Sequence, residues 1–347
     1  MQPGIYRGID NAAYHGGPGD SKSTLDIVRK SPAALRALRT GVTERRSTAA
    51  QALGTAFHAL VLEPASFADE YALPFIAPAG ALATVDDMKV ALVAAGIEFK
   101  SSAKKDALTD LVREYIPDAV ILSDAVAAHA AENSGRTIID AETWAQLHRM
   151  RDAVMAHPAA SKLLSAPGES ELSCYWSEPV IDPSTGEQLR NEDGAPAEML
   201  LRCRPDFWRH DGIIVDLKTT QPDHAAPEEF GRSVFNWRYY VQHPFYLNGT
   251  AKALQDSEPE FRAKFSAPRA FVFIAVENDA CVVDGVAKGV GVYRLDEDAV
   301  KLGELHAAKD IATLWRCYQS GKWPGYSGRI EPLSLPGYAF QRAAASA

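Results

Sequence analysis

Cysteine is scarce and unclustered. Cys174, Cys203, Cys281 and Cys317 are the only four, and no two stand in a CxxC pair. That spacing excludes a zinc ribbon and a disulfide framework, and it favours buried free thiols in a reducing compartment. Long apolar runs are missing too, so no segment reads as a membrane span. The N-terminus lacks the pattern of a secretory signal, and the expected location is the cytoplasm. Nor is there a surplus of positive charge: 36 Lys and Arg stand against 45 Asp and Glu, for a net charge of −9. This balance counts against binding nucleic acid through a broad basic surface. It leaves room for a site whose carboxylates hold a cation beside a locally basic channel.

What is present is a chain of 347 residues, 46% hydrophobic, long enough to bury a large core as one elaborated domain or two. The informative stretch runs from MLLRCRPDF to GIIVDLKTT, ending at Thr220. In an apolar, β-branched strand the side chains alternate between faces, so Asp216 and Lys218 project together while Leu217 points away. His210-Asp211-Gly212 suits a three-residue hairpin loop with glycine in the left-handed position, which sets Asp206 opposite Asp216. A two-residue Asp-Gly loop would put Asp206 opposite Leu217 and send the carboxylates to opposite faces. Two hard carboxylate oxygens and an ammonium on one patch fit a divalent cation and phosphodiester chemistry. Read alone, the same pattern also fits an ordinary ion pair on a hairpin.

Around this hairpin, residues 21–41 read as a helix opened by Ser23 or Thr24, with SPAALRAL continuing past a proline. A second helix, AAQALGTAFHALVLEP, stops at Pro64 and places Gly54 and His58 on one face. The stretch Glu142 to Leu164 has helical periodicity, with His148 and His157 structural. ELSCYW begins the β-rich core, and a turn-rich connection follows around Pro183 to Gly194. Pro227 to Leu247 read as one helix, with Gln242 and Tyr246 four apart. AFVFIAVE is a buried strand, and GVGVYRLDED precedes a last helix through KLGELHAAKDIATLWRCYQ. Arg202, Arg204, Arg232, Arg238, Lys22 and Arg29 are candidate phosphate contacts. Each is also an ordinary solvated charge.

The hairpin, the following FNWRYYVQHPFYLNG, and GTAFHALVLEP, ESELSCYWSEPVIDPSTG and SGKWPGYSGRIEPLSLPGY occur in an order that resembles the PD-(D/E)xK nuclease superfamily. The similarity is greater to its RecE-like branch, the exodeoxyribonuclease VIII family, and IDNAAYHGGPGDSKSTLDIVRKSPAAL shares it. This resemblance implies Mg²⁺, or Mn²⁺ as substitute, held by Asp206, Asp216, the Leu217 carbonyl and His58. Lys218 would act on the attacking water, and Gln242, Tyr246 and Arg204 on substrate. An acidic residue near Glu171 assists the metal in such enzymes. The implied activity is 5′-to-3′ exonuclease action on double-stranded DNA ends, leaving 3′ single strands for a RecT-like single-strand annealing recombinase in phage or prophage recombination. A cyclic homo-oligomer is implied as well. A structure- or site-specific endonuclease, or an inert DNA-binding scaffold, are the alternative readings. The iron-sulfur cluster of some related nucleases needs clustered cysteines that this chain lacks.

The expected fold is an α/β restriction-endonuclease-like core, a mixed central sheet flanked by helices, with an inserted helical module. Residues 1–76 form the N-terminal helical part, 77–136 the insertion and 137–340 the nuclease core. The insertion reads helix, extended GIEFKSSAKK, helix, with Ser102 or a neighbour as cap. It resembles helix-extended-loop-helix modules related to SAP motifs, and Lys100, Lys104 and Lys105 on its loop are candidate phosphate contacts.

Overall fold

The computed structural model describes residues 1–44 and 48–335. Residues 336–338, which close the C-terminal motif, lie outside them. Two compact units divide the chain: residues 1–48, 159–275 and 291–347 form the first, and 49–158 with 276–290 the second. The architecture is mixed α/β, with helices around a central mixed sheet.

In the first unit, strand Ser173–Pro179 pairs antiparallel with Gly4–Tyr6 on one side and Glu198–Cys203 on the other. Asp20 bridges Leu201 in the parallel sense. A five-stranded sheet has the order Val286–Tyr293, Ala270–Val283, Ile213–Thr220, Phe207–Arg209, Gly168–Ser170, of which residues 276–290 are assigned to the second unit. Alternation delivers the inward residues: Trp176, Trp208, Ile214, Phe271 and Phe273 are all fully buried in one core. Burying each such side chain contributes roughly 1.5–3 kcal/mol.

Helix Tyr239–Gln255 packs on Ser173–Pro179 and on the long helix Glu297–Ser320. Pro244 lies inside it and has no N–H to offer the Tyr240 carbonyl one turn back. Helix Glu297–Ser320 approaches at that point through Gly303, where a Cβ would lie only 2.0 Å from the Tyr240 carbonyl oxygen. Glycine therefore lets the two backbones meet where the proline has freed an acceptor.

Three expected helices are interrupted. Residues 21–41 form Lys22–Lys30 and Pro32–Arg39, because Ser31 leaves the first helix and caps the second, accepting from Ala34 N at 3.3 Å. The first is capped by Ser21, not Ser23 or Thr24, through reciprocal bonds with Thr24. The expected Pro227–Leu247 helix is Pro227–Asn236 and Tyr239–Gln255, separated at Trp237 and Arg238. In the stretch expected from Glu142 to Leu164, Ala141–Ala156 ends at His157, the residue before a proline, and Pro158–Leu164 begins anew.

In the second unit, helix Ala49–Leu62 packs on Ala141–Ala156. Thr84 and Asp87 form a capping box for Val85–Ala94. That helix, Lys105–Tyr115 and the start of Leu122–Glu132 enclose a small core of Met88, Leu92, Leu108, Val112 and Ile121. Ser102 does not cap Lys105–Tyr115; Lys104 holds the cap position without a side-chain bond. Asp284 and Gly285, with φ of 50° and 79°, form the tight turn between strands Ala270–Val283 and Val286–Tyr293.

Candidate metal centre

Register places the acidic residues. Strand Phe207–Arg209 pairs antiparallel with Ile213–Thr220, Phe207 opposite Val215 and Trp208 opposite Ile214. One step further in the same register, Asp206 faces Asp216. The turn is the three-residue form, and Gly212 takes φ +84°. On its other edge Phe207–Arg209 pairs with Gly168–Ser170, Ser170 opposite Phe207. One step further there sets Glu171 opposite Asp206, and the Glu171 amide donates to the Asp206 carbonyl at 3.3 Å. Glu171, Asp206 and Asp216 thus form a row across three neighbouring strands. Glu171 adopts φ +54°, a left-handed conformation costly for a glutamate, held where the strand ends. Its carboxylate has an oxygen within 4.8 Å of one on Asp206.

The rest of the patch fixes these groups. The Leu217 amide donates to Asp206 Oδ2 at 2.7 Å. Asp216 is only 1% exposed, so its charge needs partners. Gln242 Nε2, one turn into its helix, donates to Asp216 Oδ1 at 2.5 Å, and Lys218 pairs with Oδ2. A carboxylate oxygen accepts more than one bond, so both retain capacity for a cation. Lys218 Nζ also lies 4.8 Å from the centroid of the Tyr239 ring. Burial acts to lower the Lys218 pKa, but the charges of Asp216 and Asp206 outweigh it and hold the ammonium above its ordinary value. Tyr246 is pushed well up, first by burial and further by nearby groups including Asp216 and Asp206, so its hydroxyl keeps its proton.

The structure thus brings together Asp206, Asp216, Lys218, Gln242 and Tyr246, with Leu217 in the same strand. His58 lies half-buried on helix Ala49–Leu62 of the second unit. Arg204 lies 4.0 Å from the Glu171 carboxylate. Buried, it donates to Ser173 Oγ, Asn11 Oδ1 and the Ile9 carbonyl and lies 3.9 Å from the Tyr14 ring centroid, which ties the N-terminal segment to the strand leading into Asp206. Arg202 likewise donates to the carbonyls of His15, Gly17 and Pro18. Arg238 is spent on Asp26 and Asp310. Lys22 is buried, pairs with Asp26 at 2.7 Å and sits 5.6 Å from the Tyr239 ring centroid; burial lowers its pKa despite Asp26. Arg29 and Arg232 remain exposed. Tyr239 was not legible as a site residue, because its place depends on the helix break at Arg238.

The oxygen-rich row is chemically suited to a hard divalent cation such as Mg²⁺ or Mn²⁺. A family model described as a PDDEXK-like domain of unknown function (DUF3799) matches residues 21–336. No curated protein matches the chain. A solved structure from Eubacterium rectale, titled a "putative exonuclease", is similar at 10% identity and a TM-score of 0.47, over 96% of this chain and 98% of that one. Among the described residues, no helix is long and apolar enough to cross a membrane.

Proposed function

The chain belongs to the PDDEXK-like family DUF3799, and from that premise we propose that it is a divalent-cation-dependent DNA exonuclease, acting 5′ to 3′ on linear duplex. One observation carries the hydrolytic part: three acidic residues in register across adjacent strands, with Lys218 two residues beyond the buried Asp216. Glu171, Asp206 and Asp216 would hold the cation, with the Leu217 carbonyl and, from its Gly-x-x-x-His motif, His58 as further ligands. The bound cation supplies neutralisation of phosphate charge and a lowered pKa for water.

The protein's own groups do the rest. Lys218 orients the attacking water and donates toward the oxygen on which charge develops at phosphorus. Gln242 holds the Asp216 carboxylate in one rotamer. The neutral Tyr246 hydroxyl donates to a substrate phosphate oxygen. Strand polarity, a cyclic oligomer and a RecT-like annealing partner in phage or prophage recombination follow from the RecE-like resemblance of the quoted motifs, and a cytoplasmic setting from the scattered free cysteines.

The test is one time course with end-labelled linear duplex and covalently closed circular DNA, with Mg²⁺, with Mn²⁺ and with chelator. Linear duplex should shorten from its 5′ ends with either cation and stay intact with chelator. Efficient cutting of closed circles would assign the site to an endonuclease instead.

A further inference from the structure

Two large aromatic side chains stand open to solvent at the end of helix Pro227–Asn236: Phe235 is 64% exposed and Trp237 62%. Single exposed apolar residues need no explanation. These two flank Asn236, and Gly231 and Arg232 on the preceding turn are exposed as well. One face of Phe235 stacks on Tyr240 at a centroid distance of 6.0 Å, which holds the ring in place.

The backbone that carries them is strained and pinned. Arg238 has φ 56° and ψ 36°, a left-handed conformation unfavourable for arginine. Its guanidinium is held by Asp26 at 3.0 Å and by Asp310. The Lys22 ammonium donates to the Trp237 carbonyl at 2.9 Å. Charged groups from two helices, Lys22–Lys30 and Glu297–Ser320, therefore fix this break. The next residue, Tyr239, carries the ring beside Lys218, and Gln242 follows with its bond to Asp216. Two residues span at most about 7 Å between Cα atoms, so the Trp237 backbone is tied close to that of Tyr239, whose ring adjoins Lys218.

We infer that Trp237, with Phe235 beside it, is a stacking platform for unpaired nucleobases of the DNA strand whose phosphodiester lies at Asp216 and Lys218. This rests on the nuclease reading above. Flat indole and phenyl faces stack on any base without regard to sequence. The ammonium of Lys218 attracts the adjoining phosphates.

The experiment compares wild type, Trp237→Ala, Trp237→Phe and Phe235→Ala, with thermal unfolding to confirm folding. Binding is read by fluorescence anisotropy in Ca²⁺, on duplex with a short single-stranded end and on the same DNA with abasic sites at that end. Trp237→Ala should weaken binding about fivefold to a hundredfold, Trp237→Phe should restore most of it, and abasic sites should weaken wild type but not the alanine variant. In Mg²⁺ the alanine variant should raise KM more than it lowers kcat. Equal affinity of wild type and Trp237→Ala for the intact end would overturn the platform. A smaller mass of Trp237→Ala by light scattering would also overturn it, assigning the face to a second copy of the chain. If wild type cuts no DNA with any divalent cation, the nuclease reading falls and the platform with it; if wild type cuts and Trp237→Ala binds and cuts equally well, the platform alone falls.

Discussion

Asp216 and Lys218 touch each other, yet their removal should have different consequences. Asp216→Ala deletes a charged ligand, so divalent-cation affinity by calorimetry and cleavage should fall together. Lys218→Ala deletes no ligand, so the cation should still bind while the rate falls about a hundredfold to a thousandfold, as for loss of a positioned electrostatic group. His58→Ala should lie between them. Gln242→Leu leaves the buried Asp216 Oδ1 without its amide donor, which should lower stability by about 1–3 kcal/mol, measured by urea unfolding. This pair of residues was legible in the sequence, since strand alternation and loop length together determine which side chains share a face. Glu171 was carried only by resemblance, because its neighbour Asp206 lies on a strand remote in sequence and the register between them cannot be read locally. The packing of Arg204 was not legible, because its burial against Ser173, Asn11 and Ile9 depends on segments remote in sequence.

Strand Gly168–Ser170, which leads into Glu171, is clamped by an ionic cluster. Glu169 accepts two bonds from the Arg7 guanidinium, at 2.5 and 2.9 Å, and pairs with Lys264 at 2.6 Å. The Arg7 bond, foremost, and Lys264 lower its pKa from 4.5 to about 2, against the opposing effect of burial. A carboxyl whose folded pKa is depressed stabilises the fold above its unfolded pKa and loses that contribution as pH falls through the folded value. Glu169→Gln should therefore cost about 1 kcal/mol at neutral pH, given solvent screening of Arg7 and Lys264. Thermal unfolding of both proteins should show the gap narrowing below pH 4.5 and closing near pH 2; a gap constant over that range would remove the ionic account. Elements were legible where periodicity ran unbroken, as in Ala49–Leu62 and Glu297–Ser320. They were not where a helix stops for tertiary reasons: Arg238 has no sequence mark of a left-handed residue, and its conformation depends on Asp26 and Asp310 from other helices.

For the whole chain, α/β architecture and the superfamily were legible because several motifs recur in order, each with its own physical task. The tight turn at Asp284-Gly285 passed unread although Asp-Gly between valines signals it. The small helical core around Met88 and Leu108 gives the segment from Thr84 to Ile116 apolar packing of its own, and Lys100, Lys104 and Lys105 are exposed on it. We propose that it binds DNA phosphates. Deleting this segment should then weaken DNA affinity and reduce the salt slope by up to about 0.9 per lost contact; unchanged affinity and slope would make it structural only. Light scattering at working concentration should report a closed oligomer, and a processive monomer would contradict that expectation. The central claim, that the acidic row and Lys218 form a cation-dependent hydrolytic centre, is tested most directly by the initial rate on end-labelled linear duplex in Mg²⁺ for wild type, Asp216→Ala and Lys218→Ala side by side. Wild type should cut, and both variants, folded by thermal unfolding, should be slower by at least about a hundredfold. Cutting by either variant at the wild-type rate would contradict the account.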